Sequence, residues 1–216
     1  MGLPVLVCGK SGSGKTTSLR NFSKSEAFVF LVAKQLPKKA VDLKCVKLRN
    51  MSYSERYDTI KAYIAELYNR GCKTFIIDDS DHLMFFEQQQ RNNEGGYKKY
   101  GEMALHMIDL IDFVNECADD VIVYFLNHVE SGEDGQKAIT AGKMIDNQLG
   151  TIESQFNEVI YCTVIDGEHK FMVKTDGTNT AKTPFGMFDE AIMDNDLKAV
   201  DTVIRDYYGM NQDAKE

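Results

Sequence analysis

The chain of 216 residues lacks any apolar run near the roughly 20 residues that a membrane-spanning helix requires. Its first residues also lack the charged and then apolar layout of a secretory signal peptide. The five cysteines are odd in number and include no C-x-x-C pair, so neither a disulfide framework nor a zinc site is predicted. We therefore expect a cytoplasmic protein with reduced thiols and no membrane partner.

An excess of positive charge is also missing, since the formal net charge is −8 at pH 7. Proteins that coat nucleic acid with their whole surface depend on clustered Lys and Arg, so this charge argues against such coating. One local basic cluster stands out, and its members are Lys34, Lys38, Lys39, Lys44, Lys47 and Arg49. This basic cluster is either a candidate DNA-binding surface or an ordinary solvated loop.

Apolar runs that suit β-strands alternate along the chain with helical patterns. The runs that predict strands lie at residues 3–8, 27–33, 45–48, 74–77 and 121–126. Apolar side chains recur at spacings of three and four at 53–68, 103–114 and 197–208, which predicts helices, and a further helix is expected to begin near Lys15. This alternation predicts an α/β fold with a mostly parallel central sheet flanked by helices.

Three other stretches add to this pattern. Residues 159–165 and 169–173 flank Asp166 and Gly167, which predicts a late antiparallel hairpin with a tight turn. The Gly-punctuated segment 131–142 predicts a loop. The Gln-rich stretch that ends near residue 96 predicts a short helix followed by a loop.

The strongest motif is GKSGSGKT at residues 9–16, which fits the phosphate-loop pattern G-x-x-x-x-G-K-[ST] at every fixed position. Gly12 and Gly14 let backbone N–H groups wrap around phosphate oxygens. Lys15 is expected to reach the β- and γ-phosphates, and Thr16 is expected to bind Mg²⁺. The predicted ATP-binding residues are Gly9, Lys10, Ser11, Gly12, Ser13, Gly14, Lys15, Thr16 and Thr17.

Two acidic residues, Asp78 and Asp79, follow the strand predicted at 74–77. This is the layout of a Walker B segment, so Asp78 is the second predicted Mg²⁺ ligand beside Thr16. Asp79 is the candidate catalytic base, because it lies beside the metal ligand Asp78 while strand alternation points its side chain in another direction. The alternative is that the acids cap the following helix.

Asn127 and His128 follow the strand predicted at 121–126, so we expect them at the same sheet edge as the phosphate loop. A polar side chain there could contact the γ-phosphate or its water, which makes His128 a candidate catalytic residue beside Lys15 and Asp79; a structural role is the alternative. The remaining histidines have no metal-ligand spacing and are expected to be packing or surface residues: His82, His106 and His169.

No Arg lies between Arg91 and Arg205, which removes most candidates for an arginine finger in the second half of the chain. A lysine would have to take that role. Lys174 and Lys182 flank a polar stretch after a predicted strand, and either could reach the γ-phosphate of a neighbouring subunit. Ordinary surface lysines are the alternative.

Four segments together resemble a known family: GKSGSGKT, FIIDDSDHLM, VIVYFLNHVE and VKTDGTNTAKTPFGMF. They are similar to the phage-encoded RecA-like ATPases, AAA-family ATP-binding proteins that include the Sak-type single-strand annealing proteins. The resemblance covers residues 2–196, and its last segment is the most particular to this group.

The resemblance implies a RecA-like P-loop NTPase core at 1–196, followed at 197–216 by a C-terminal helix and an acidic tail. It places the sensor strand between the phosphate-loop and Walker B strands. It also implies ATP and Mg²⁺ as cofactors and oligomers in a ring or filament. The implied work is on single-stranded DNA, with phage replication or recombination proteins, in the host cytoplasm.

One position departs from the RecA pattern. RecA proper has its catalytic glutamate after the second strand, whereas Lys34 and Gln35 follow the run at 27–33 here. Hydrolysis of ATP is therefore less firmly implied than binding, and Asp79 is the default base.

Three classes of function stay open. The first is a DNA-dependent ATPase that promotes strand annealing, for which residues 97–100 (YKKY) could add aromatic stacking and positive charge. The second is a non-catalytic, ATP-switched scaffold of a replication or packaging complex. The third is a small nucleotide kinase, which the six scattered arginines disfavour because kinase lids clamp phosphates with several arginines.

Overall fold

The computed structural model describes residues 1–132, 135–141 and 150–211. Its strands are β1 (Leu3–Gly9), β2 (Ala27–Leu31), β3 (Lys44–Lys47), β4 (Thr74–Asp78), β5 (Ile122–Asn127), β6 (Val129–Gly132), β7 (Gly135–Ala138), β8 (Glu158–Ile165), β9 (Glu168–Met172) and β10 (Ile192–Asp194). Its α-helices are α1 (Tyr53–Tyr68), α2 (Asp81–Gln90), α3 (Lys98–Glu116) and α4 (Leu197–Tyr207). The acidic end of the chain, 212–216, lies outside the described residues.

The main sheet has the strand order β10-β9-β8-β1-β5-β4-β2-β3. The strands from β8 to β3 in this order run parallel, and β9 and β10 are antiparallel additions at one edge. The α/β fold with a mostly parallel sheet and a late hairpin is therefore confirmed. The expected position of the sensor strand is confirmed as well, because β5 lies between β1 and β4.

Alternate residues of the buried strands feed two separate apolar layers, as the two-residue period of a strand requires. On one face, Leu6 and Cys8 pack with residues of α1, α2 and α3. On the other face, Val5 and Val7 pack with residues of α4. None of the helices in the described ranges is both long and apolar enough to cross a membrane.

The tight turn of the late hairpin has the geometry its sequence predicts. Asp166 and Gly167 have φ angles of 52° and 82°, the left-handed conformation that a two-residue hairpin turn needs at both positions. Because β8 is hydrogen-bonded to β1, this hairpin lies directly beside the strand that carries the phosphate loop.

Two stretches differ in detail from what their sequence indicates. A helix is predicted to begin near Lys15, and the structure has one of the short 3-10 type, Thr17–Asn21, after the phosphate loop. The Ser18 hydroxyl donates to the Lys15 carbonyl oxygen at 2.6 Å, and such local bonds compete with α-helical ones. The segment 131–142 was expected to be a loop, yet its described part contributes to the antiparallel pair β6–β7; residues 133–134 and 142 lie outside the described ranges.

Helix α4 is anchored to the sheet by a buried charged pair. Asp201 accepts hydrogen bonds from Arg205 Nε at 2.8 Å and from the Tyr124 hydroxyl at 3.0 Å. Arg205 also donates to the Asp120 carbonyl oxygen at 2.8 Å. The C-terminal helix is thereby joined to the sheet by charge and by its apolar face.

We expect Asp201→Ala to lower the free energy of unfolding by about 3 kcal/mol or more, because it leaves the buried Arg205 guanidinium without its carboxylate. Asp206→Ala, an exposed position on the same helix, is the control and should change it by less than about 0.5 kcal/mol. Urea denaturation of both variants measures the difference, and equal stabilities would show that the pair does not anchor the helix.

Candidate functional site

The loop after β1 has the backbone that its glycines allow. Gly12 and Gly14 have φ angles of +81° and +104°, a region that side-chain-bearing residues rarely adopt. A Cβ atom at Gly14 would also lie 3.0 Å from the ring of His169. Both positions therefore require glycine, and the loop can present its backbone N–H groups toward a bound anion.

Lys15 is buried at the base of this loop. Its ammonium donates to the carbonyl oxygens of Gly9 at 2.7 Å and Lys10 at 3.2 Å. Burial lowers the pKa of Lys15, although the nearby acids Asp81, Asp79 and Asp78 oppose that shift. The ammonium is thus held where phosphate oxygens could replace the two carbonyls as its partners.

Thr16 and Asp78 join the loop to β4. The Thr16 hydroxyl lies 3.0 and 3.1 Å from the two carboxylate oxygens of Asp78, so the two side chains converge on one point. Burial, with the adjacent charge of Asp79, raises the pKa of Asp78 to about 6. A hydroxyl and a buried carboxylate that meet in this way fit the protein side of a Mg²⁺ shell, in which waters and phosphate oxygens supply the other ligands.

A cavity of about 170 Å³ lies over the loop. This is smaller than the roughly 300–1,000 Å³ of pockets that enclose a whole drug-sized ligand, which suits phosphate groups better than a whole nucleotide. The residues that line it are Ser11, Gly12, Gly14, Lys15, Thr16, Thr17, Lys34, Asp79, His128 and His169.

Asp79 faces this cavity from an unusual backbone conformation. Its φ angle is 61°, a left-handed value at which Asp is one of the more tolerated residues. Its carboxylate lies 3.7 Å from the Lys34 ammonium and 3.6 Å from His128 Nε2. Lys34, which the sequence placed with the basic cluster, thus lies in the phosphate cavity.

Asn127 and His128 have different roles, although they are adjacent. The Asn127 amide is buried and donates to the carbonyl oxygens of His128 at 2.9 Å and Ile139 at 3.0 Å. It therefore stabilises the backbone at these two residues. The His128 ring lines the cavity, and its Nδ1 lies 3.1 Å from both carboxylate oxygens of Asp81. Only His128 is placed to contact a phosphate or its water.

Sequence reasoning missed the position of His169, which was expected to pack or lie on the surface. Its Nδ1 donates to the Ser13 carbonyl oxygen at 2.8 Å, and Cys162 Sγ donates to the same oxygen at 3.1 Å. The late hairpin therefore supports the loop from the side. This contact follows from the pairing of β8 with β1. No sequence motif indicates that pairing.

A family model described as an AAA domain matches residues 1–185, the part of the chain that contains the loop, Asp78, Asp79 and the hairpin. The chain belongs to this AAA domain family. Membership identifies it as a nucleotide-binding ATPase domain, and nucleotide binding in such ATPases usually involves Mg²⁺. A comparison with curated proteins gave no match.

The other predicted cations of the AAA domain lie outside its phosphate cavity. Lys174 and Lys182 are exposed, and Lys182 is paired through its backbone with Val159, near the start of β8. Arg49 donates to the Ala33 carbonyl oxygen at 3.0 Å. The rest of the basic cluster is exposed and comprises Lys38, Lys39, Lys44 and Lys47.

The segment 97–100 offers less positive charge than its sequence indicates. Lys99 is buried and donates to the carbonyl oxygens of Arg91 at 3.1 Å and Glu94 at 2.7 Å. Tyr97 is 85% exposed, and Lys98 beside it is exposed as well. These two are the exposed residues of the segment, and the Lys98 ammonium already lies 3.2 Å from the Glu102 carboxylate.

We expect His169→Ala to weaken nucleotide binding about fivefold, since it removes one hydrogen bond, worth about 1 kcal/mol, that holds the Ser13 carbonyl in place. Titration with a fluorescent ATP analogue measures the affinity. His106→Ala is the control, because His106 bonds to Glu87 and does not line the cavity. An unchanged affinity in His169→Ala would mean that the hairpin does not support the loop.

Proposed function

We propose that this AAA domain binds Mg²⁺-ATP with its triphosphate in the cavity and hydrolyses it. The observation that carries the proposal is the contact between the Thr16 hydroxyl and both oxygens of Asp78, which are 62 residues apart in sequence. Beside it lies Lys15, a buried cation on a glycine-rich loop. A hydroxyl, a carboxylate and an ammonium in this arrangement are the parts that P-loop ATPases use.

Each residue has a proposed part in hydrolysis. Lys15 neutralises charge on the β- and γ-phosphates, and a bound Mg²⁺ ion supplies further charge neutralisation there. Asp79 orients the attacking water and accepts its proton. His128, 3.6 Å from Asp79, positions this carboxylate, and Lys34 offers a second cation at the γ-phosphate end.

The variant Asp79→Asn tests whether Asp79 is the catalytic base. Asn also tolerates the left-handed backbone of this position, so we expect ATP affinity within about twofold of wild type while single-turnover hydrolysis falls by about 10²-fold or more. Lys15→Ala, in contrast, should lose both binding and hydrolysis. Wild-type hydrolysis rates in Asp79→Asn would remove this residue from the mechanism.

We further propose that the ATPase works on single-stranded DNA, as the family resemblance implies. The support for this is the exposed basic cluster, of which Lys44 and Lys47 lie on β3, the strand at one edge of the sheet. Exposed lysines on an edge strand also discourage edge-to-edge aggregation, which is a simpler role for the same residues. Only the DNA-binding role predicts that the affinity for DNA falls when these lysines are replaced.

The double variant Lys44→Gln/Lys47→Gln should weaken binding to single-stranded oligonucleotide and reduce the slope of log affinity against log salt by about 1.4 units, since two phosphate contacts at about 0.7 each are removed. The matched control is Lys174→Gln/Lys182→Gln, two exposed lysines away from β3. Fluorescence anisotropy at several salt concentrations measures both. Equal slopes in the two variants would favour edge protection.

Lys174 and Lys182 carry the proposal of a homo-oligomer. Neither lines the cavity of its own chain, so either could contribute to ATP hydrolysis only at a neighbouring subunit. If they do, the variant Lys174→Gln/Lys182→Gln should lose ATP turnover at protein concentrations where wild-type chains associate. Its nucleotide affinity as a dilute monomer stays unchanged.

An ATP-switched scaffold is the second candidate function, and the surroundings of Asp79 favour it. The only carboxylate of the described residues that lines the cavity faces both Lys34 and His128, and no acidic residue is among residues 32–36, directly after β2. ATP binding without turnover, with or without single-stranded DNA, would select the scaffold. A nucleotide kinase is disfavoured further, since no arginine is among the described residues that line the cavity.

A further inference from the structure

Asp79, His82 and His128 bring ligand atoms within 4.8 Å of one another, and Asp79 and His128 also line the phosphate cavity. The first two lie at the junction of β4 and α2, and His128 follows β5. The two imidazole rings are 5.6 Å apart between centroids. We propose that these three residues bind one first-row divalent transition-metal ion, such as Zn²⁺ or Co²⁺.

A carboxylate that could orient the two histidines lies beside both of them. Asp81 is buried, and its carboxylate lies 3.1 Å from Nδ1 of His128 and 3.1 Å from Nδ1 of His82. In protein metal sites a ligating histidine commonly gives its second nitrogen to a carboxylate, which fixes the ring and its tautomer. Asp81 thus orients the His128 ring by hydrogen bonds and lies beside Nδ1 of His82 without a hydrogen bond to it, and Nε2 of His128 stays available to a metal.

Asp79 supplies the third ligand. The residue is only 4% exposed, and its Oδ1 atom lies 3.6 Å from Nε2 of His128. Its Oδ2 atom faces the Lys34 ammonium at 3.7 Å and makes no hydrogen bond among the described residues. A buried carboxylate oxygen that makes no hydrogen bond is unfavourable unless another group satisfies it. The left-handed backbone of Asp79 adds local strain, which is often found at binding sites. A metal ion bound at this point would satisfy the oxygen.

The donor set determines the class of ion. Two imidazole nitrogens and one carboxylate oxygen suit Zn²⁺, Co²⁺ or Fe²⁺, whereas Mg²⁺ prefers oxygen ligands alone. Tetrahedral donors around zinc lie about 3.4 Å apart, so the side chains must close inward by small rotations. The Mg²⁺ ligands Thr16 and Asp78 offer only oxygen, which makes the two sites chemically distinct.

This inference goes beyond the proposed function, because the metal site needs neither nucleotide nor Lys15. Asp79 cannot ligate this ion and act as a free base at the same time, so nucleotide-free protein is the state in which to measure metal binding.

The test is a titration of tag-free protein with Co²⁺, without nucleotide, followed by the visible absorption of the bound ion. We expect one Co²⁺ per chain and displacement of it by Zn²⁺. His82→Ala should lower the Co²⁺ affinity by at least about tenfold, and Asp81→Asn by about 10- to 100-fold as an orienting residue. Co²⁺ should also raise the melting temperature of wild type and not that of His82→Ala.

Two control variants show whether Co²⁺ binds at this cluster and independently of the ATP site. His106→Gln removes a histidine outside the cluster and should keep wild-type Co²⁺ affinity. Lys15→Ala should lose ATP binding but keep wild-type Co²⁺ affinity. This variant therefore distinguishes failure of the ATP site from failure of the metal site. Absence of stoichiometric Co²⁺ binding, or equal loss in His82→Ala and His106→Gln, would overturn the proposal.

Discussion

The site depends on one contact across the sheet, in which the Thr16 hydroxyl donates to the Asp78 carboxylate. Thr16 lies on the loop after β1 and Asp78 ends β4, and these two strands are not neighbours, since β5 lies between them. The contact is possible because all three strands are parallel and in register, so that their carboxyl ends meet at one edge. The buried sheet thereby sets the geometry at which a Mg²⁺-nucleotide can bind.

The late hairpin extends this support to the other side of the loop. His169 and Cys162 both donate to the Ser13 carbonyl oxygen, and the ring of His169 closes the space beside Gly14. A glycine-rich loop is flexible by itself, so its anion-binding shape has to come from neighbours. Here one neighbour is a hairpin that the parallel sheet alone would not require.

Much of this arrangement could be predicted from local sequence. Helix α1 and the Asp166–Gly167 turn have strong periodic or turn signals, and the motif residues Lys15 and Asp78 sit where strand ends put them. The β6–β7 pair, the placement of Lys34 in the cavity and the contacts of His82 and His169 were missed. These features depend on which strands are neighbours and on the left-handed backbone of Asp79, and residue spacing encodes neither of them.

The most direct measurement is the affinity for ATP by isothermal titration calorimetry, in Mg²⁺ and in EDTA, for wild type and Asp78→Asn. If Thr16 and Asp78 form the protein side of the Mg²⁺ shell, wild type should bind at least about tenfold more tightly with Mg²⁺, a difference of about 1.4 kcal/mol. Asp78→Asn should lose most of that difference and keep its weaker binding in EDTA. Equal affinities of wild type in Mg²⁺ and in EDTA would contradict the assignment of this contact.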